Sequence, residues 1–158
     1  MFRILFIIAC LLTCLNTIGQ GIDNTNKKDV SNIYNQTFVE YFKYLEKEKI
    51  QIPDSIFVEE DFKLTDSLMT KIGTVSIIII KQSEIEQLVI KRKGIVLYRL
   101  FPLEYRNKEF FTSFVPFAVT YNTRIKNEIF FVNSGSFWVI FNFDNGKFKF
   151  SRIDNNAI

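Results

Sequence analysis

The chain contains no histidine, and its two cysteines, Cys10 and Cys14, both lie near the N-terminus. Ser-His-Asp and Cys-His constellations, histidine-ligated zinc and imidazole acid–base catalysis are therefore excluded. A mature protein lacking that N-terminal stretch has no thiol for a disulfide, a nucleophile or a soft metal ligand. Glycine is sparse as well, and no G-x-G-x-x-G, P-loop, G-x-S-x-G or C-x-x-C motif occurs. Excess charge of one sign is also missing. The net charge of +3 is the difference between 20 basic and 17 acidic residues, and no dominant basic cluster points to nucleic acid. No cofactor is expected, and catalysis would have to use carboxylates, Tyr, Lys or Arg.

What the chain does have is apolar mass. Hydrophobic residues make up 47% and aromatic residues 16%, with 18 Phe. That composition argues for a packed core and against disorder. A chain of 158 residues makes one domain that buries about two-thirds of its unfolded surface. This many Phe can also leave some rings on a contact surface.

The strongest local signal is Asn145-Gly146 inside F-W-V-I-F-N-F-D-N-G-K-F-K-F-S-R-I, residues 137–153. Asn-Gly between alternating apolar residues specifies a two-residue hairpin, because the favoured turn needs φ > 0 at both central positions. The register follows: Asp144 faces Lys147, Phe143 faces Phe148, Asn142 faces Lys149, and Phe141 faces Phe150. One face carries four phenylalanines and the other the polar pairs.

Residues 1–20 read as an export signal. Arg3 supplies the positive start, Ile4 to Leu15 is an apolar run too short for an ordinary transmembrane helix, and Thr17 and Gly19 supply small residues for cleavage. A secreted or periplasmic protein without a membrane span follows. An uncleaved anchor, or a lipoprotein acylated at Cys14, is the rival. Cleavage removes Arg3 and no acid, taking the charge from +3 to +2.

Residues 21–28 are a polar spacer, and residues 29–153 show neither repeat nor domain boundary. A long helix comes first, capped by Asp29 or Ser31, with Tyr34, Phe38, Tyr41, Phe42 and Leu45 at helical spacing. Such a stripe buries on a sheet. The sequon Asn35-Gln36-Thr37 is taken as a chance match. Ile56 to Leu64, with Glu59-Glu60-Asp61, reads as a solvated loop or edge strand, since adjacent acids on extended backbone diverge and cannot share a metal. The run Ile77 to Ile80 lacks alternation and reads as a strand covered on both faces. Ser83 as N-cap with Glu86 at N3 predicts a short helix from Glu84 to Arg92, stopped at Gly94. Lys91-Arg92-Lys93 then meets the negative end of its dipole.

From Ile95 the pattern is an antiparallel meander. Ile95 to Phe101 is a strand closed by Pro102, and Glu104 to Glu109 is a charged connection. Phe110 to Tyr121 is a long strand, at an edge or bulged because of Pro116. Residues 122–127 turn, Glu128 to Asn133 returns, and Ser134-Gly135 makes a second hairpin that sets Val132 against Phe137 and Phe131 against Trp138. Residues 154–158 form a loose tail. The expected fold class is α+β, one long and one short helix packed on a curved antiparallel sheet of five or six strands. By element order over residues 29–153 it resembles cystatin-like and NTF2-like cone folds, which host pockets, inhibitors and a few enzymes.

Arg99 interrupts an apolar strand on the face of Leu97 and Phe101, so it needs a carboxylate, an anionic ligand or a route to water. Tyr98, Tyr105 and Arg106 can line a mouth beside it. With Trp138 on the aromatic sheet, these five are the candidate binding residues. The carboxylates of the sheet region are Glu104, Glu109, Glu128 and Asp144. The leading expectation is an exported, non-enzymatic domain binding a protein partner or a small apolar ligand, an immunity or inhibitor module being one version. The alternatives are a carboxylate-dependent envelope hydrolase and a small structural envelope protein. Two carboxylates about 5–9 Å apart in a cleft would favour hydrolysis.

Overall fold

Helix α1 (Ile33–Lys47) starts at Asn32, whose side-chain oxygen accepts the backbone N–H of Tyr34 at 2.9 Å and of Asn35 at 3.4 Å. The computed structural model describes residues 32–61, 63–122 and 128–156. The export signal, the spacer and the expected caps Asp29 and Ser31 lie outside the described residues, as does most of the turn at 122–127. Phe38, Tyr41, Phe42 and Leu45 are buried along one stripe, where helical spacing set them. Asn35 and Thr37 are buried too. The Asn35 amide donates to the Ser67 carbonyl and accepts from the Met69 N–H, so the sequon closes a loop against α1.

The remaining elements are β1 (Ser55–Glu59), β2 (Lys71–Ile72), β3 (Val75–Ile80), α2 (Gln82–Arg92), β4 (Ile95–Arg106), β5 (Glu109–Asn122), β6 (Glu128–Asn133), β7 (Ser136–Asp144) and β8 (Lys147–Asn156). The class is α+β, with two helices and a mostly antiparallel sheet of eight strands ordered β2-β3-β1-β4-β5-β7-β8 and β6 also on β5. The expected five or six strands undercount it. The main departure is β1, expected as a solvated loop or edge strand. Ile56, Phe57 and Val58 are buried in the middle of the sheet, parallel to both β3 and β4. Three consecutive apolar residues suit a strand covered on both faces, and the acids that suggested a loop begin only where the strand ends. From β3 the chain crosses through α2 to β4, which lies beyond β1, so this part of the sheet is not a meander.

Two apolar clusters lie on opposite faces. On the α1 face, α1 covers Ile56, Val58, Ile77, Tyr98, Leu100, Phe114, Val139 and Phe141. On the α2 face, Ile85 and Val89 of α2 cover Phe57, Ile80, Leu97 and Val119. Helix α2 begins before its expected start. Ile80 ends β3, Lys81 is the N-cap, and the Glu84 carboxylate accepts the Lys81 N–H at 3.1 Å, so Ser83 lies inside the helix. Its end falls as the glycine signalled. Lys93 is left-handed with φ 62°, and the Gly94 N–H donates to the Val89 carbonyl at 3.1 Å.

Strand β4 runs through Pro102 by a bulge between Phe101 and Glu104, then continues to Arg106. The expected connection Glu104–Glu109 is thus two strand ends and a two-residue turn. Asn107 and Lys108 take φ 51° and 67° there, a conformation Asn tolerates and Lys does not advertise. Strand β5 is central, not an edge. Its irregularity falls in the partner: Phe114 pairs with Phe137 and Phe117 with Asn133, so Ser134, Gly135 and Ser136 oppose Val115 and Pro116. Ser134-Gly135 is therefore a bulge joining β6 to β7 along the same side of β5. The expected hairpin pairs Val132–Phe137 and Phe131–Trp138 do not form. Pro116 has no N–H to donate, but its carbonyl accepts the Ser134 N–H at 3.1 Å.

The closing hairpin has the register read from Asn145-Gly146, Asp144 to Lys147 through Phe141 to Phe150, with φ 51° and 75° at the turn. Only Phe141 of the four rings is fully buried; Phe148 packs partly against the α1-side core, while Phe143 near the tip and Phe150 on the outer strand are exposed. Residues 154–156 are not loose: Asp154, Asn155 and Asn156 pair with Trp138, Phe137 and Ser136.

Candidate functional site

Strand alternation divides the five candidate residues between the two faces, so they do not form one mouth. Tyr98 lies on the α1 face, buried against Tyr41, with the two hydroxyls 3.4 Å apart. Burial pushes both phenols above the usual tyrosine range, and for Tyr41 the neighbouring Tyr98 adds to the shift. Tyr105 is on the same face but past the bulge, exposed, its ring centroid 4.7 Å from that of Phe110.

The other three lie on the α2 face. The Arg99 Nε donates to the Glu59 carboxylate at 2.6 Å, and its guanidinium lies 5.1 Å from the Phe117 ring centroid. The cation in the apolar strand is thus met by a carboxylate one strand away, and its half-exposed head reaches water. Arg106 and Trp138 do come together. The guanidinium sits 5.2 Å from the centroid of Phe111 and 6.0 Å from that of Trp138, while those two rings stack at 5.3 Å. Arg106 is held by Glu104 at 2.6 Å, and Arg152 by Glu109 at 2.6 and 3.0 Å. The Arg152 hydrogen bonds hold the Glu109 carboxyl below the usual carboxylate range. Beyond the reach of α2, Arg106 covers the Phe111–Trp138 stack in place of a second helix.

Carboxylates meet cations rather than each other. Of the four sheet carboxylates, Glu104, Glu109 and Asp144 are ion-paired, to Arg106, Arg152 and Lys149. Glu59, Glu60 and Asp61 border a 280 Å³ cleft with Arg99 and Phe101, but Glu59 is committed to Arg99. Among the described residues no group of three His, Cys, Asp or Glu side chains is placed to hold a metal. Two other clefts flank α1. One of 460 Å³ lies against the β2–β3 turn, lined by Val39, Phe42, Ile52, Ile72 and Val75 with Lys43 and Glu46 at its rim. The other, of 340 Å³, lies between α1 and β8.

The site that single residues did not reveal is the β5–β6 end of the sheet. Phe130, Phe131 and Val132 are 38%, 43% and 58% exposed, and Val96 of β4 is 48% exposed. By register, Val96, Ala118 and Val132 run across three neighbouring strands on the α1 face, with Phe130 beside Thr120. Phe131 points to the other face, where its ring meets Phe117 at 6.1 Å. Among the described residues, strand β6 pairs with β5 alone. The other two margins of the sheet are guarded: β2 is two residues long, and β8 carries Lys147, Lys149, Arg152 and a bulge. Strand β6 has neither device over Ile129–Val132. The signal in the sequence was that I-F-F-V run, which the expected hairpin assigned to a strand paired on both sides.

Among the described residues no helix is long and apolar enough to cross a membrane. No protein-family model, no curated protein and no solved structure matches this chain.

Proposed function

We propose that the protein is an exported, non-enzymatic binding domain whose β6 edge receives an extended segment of a partner protein. The observation behind this reading is the contrast between margins: two are blunted against strand addition, while β6 offers an apolar, ungated edge next to an exposed apolar patch. Main-chain pairing to β6 would supply affinity, and alternating side chains would meet Val132 and Phe130 on one face and Phe131 on the other. Glu59, Glu104, Glu109 and Asp144 each face a cation rather than a second carboxylate, which favours binding over hydrolysis by a carboxylate pair. A small apolar ligand is a second reading, supported by the 460 Å³ cleft beside the β2–β3 turn, which is within the size range of ligand sites, about 300–1,000 Å³.

The test compares wild type with Val132→Lys, which places a charge on the exposed edge without touching the core. Both are passed through an envelope extract of the source organism, and the retained protein is then probed by hydrogen exchange. The expected result is a partner held by wild type, lost by the variant, and protecting amides of Ile129–Val132. A partner held equally by both, protection elsewhere, or no partner overturns the reading.

A further inference from the structure

The cleft between α1 and β8 differs in character from the β6 end. Its floor is Tyr44, Phe150 and Ile153, its charged rim is Glu40, Lys43 and Lys47, and Ser151 and Arg152 border it along β8. Lys43 and Lys47 are one helical turn apart, so both ammonium groups serve the same side of α1. Their situations differ. Lys43 is paired with Glu40 at 2.7 Å, and Lys47 forms no ion pair among the described residues. Arg152 borders the cleft from β8, but its guanidinium is engaged by Glu109 and Asp154 on the other face of the sheet, so the lysines alone supply the field. The ladder between β7 and β8 shifts between Ile140 and Phe141, leaving Ser151 as the extra residue of β8, and the cleft lies at that bulge. A bulge bends its strand and disrupts the ladder, which disfavours an added strand at this point. The 43% exposed Phe150 ring remains available as apolar floor.

The geometry points to a binding site for a small organic anion, an acidic headgroup on a short alkyl or aryl body. The body lies on Phe150, Tyr44 and Ile153, and the headgroup meets Lys47 and Lys43. At 340 Å³ the cleft suits a ligand of this size rather than a folded partner, near the lower end of the roughly 300–1,000 Å³ typical of such sites. This site is independent of the β6 edge and stands or falls separately.

Octanoate is the probe, with octanol as the uncharged body of the same length, both followed through amide chemical shifts of the full chain. Octanoate should give saturable shifts at Tyr44, Phe150 and Ile153, and octanol weaker ones. Lys47→Gln should weaken octanoate roughly two- to fivefold, the range of an exposed ion pair. Lys43→Gln should weaken it more, because it also frees the Glu40 charge at the rim. Glu40→Gln should tighten it. Raising salt with wild type should weaken octanoate and leave octanol unchanged. Equal affinity for the two probes, shifts elsewhere, no saturation, or indifference to both Glu40→Gln and salt would overturn the proposal.

Discussion

At the scale of single residues, polar groups in this protein are matched by partners from other elements. The Tyr41–Tyr98 pair joins α1 to β4 beneath a layer of rings, with Phe114 4.7 Å from Tyr41 by centroid. Burial raises both phenols, so the folded state holds protons that the unfolded chain releases above about pH 10. Their contribution to stability is complete below that pH and is lost as pH rises through the folded values. Absorbance at 295 nm should therefore show two of the six tyrosines ionising only as the protein unfolds. All six titrating together in folded protein would contradict this placement. Arg99 and Glu59 offer a second test. Arg99→Met strands the less exposed Glu59, and because Arg99 is half exposed the cost in urea denaturation should be modest, about 0.5–1.5 kcal/mol. Adding Glu59→Gln should recover part of that loss; if it recovers none, the pair is not what Arg99 contributes.

At the scale of elements, the accuracy of the sequence reading followed how local the determining chemistry was. The closing hairpin was legible to the residue because Asn145-Gly146 imposes the turn and alternation imposes the register. Gly146 has φ 75° with open space where a side chain would go, so the barrier to substitution there is backbone strain alone. Gly146→Val should cost about 1–2 kcal/mol, seen as a lower Tm. An unchanged Tm would remove the turn from this position. The α1 stripe was legible for the same reason, 3.6-residue spacing. By contrast, Ser134-Gly135 carries the same turn chemistry in a bulge as in a hairpin. Only the competition for β5 decides between them: β6 and β7 each gain a full ladder along one long strand, while pairing with each other would leave that side of β5 open. Strand β1 was expected as a solvated loop or an edge strand, and its central place was not legible because both its partners are separated from it along the chain and parallel to it.

Across the whole molecule, the sheet separates two unequal apolar layers. Phe114 is central to the larger, its ring near Phe38, Tyr41, Tyr98 and Phe137. Phe114→Ala should cost about 3–5 kcal/mol by denaturant melt, while Val89→Ala on the buried face of α2 removes fewer atoms and should cost clearly less. The reverse order would mean that the α2 layer dominates. Of the candidate binding residues, Tyr98, Tyr105 and Arg106 were expected to line one mouth beside Arg99; strand parity and the bulge at Pro102 instead leave Arg106 with Arg99 and Trp138 and send the two tyrosines to the opposite face. The I-F-F-V run was visible, yet its exposure was not, because a strand's exposure depends on which neighbours it gains. What the sequence determined by itself was local: the α1 stripe, the Asn-Gly register, the stop at Gly94, and the lack of histidine that closes off whole classes of catalysis. Tertiary structure decided which strands lie side by side, and hence which side chains are covered. Such pairings join segments far apart along the chain, and periodicity within one segment carries no information about its partner.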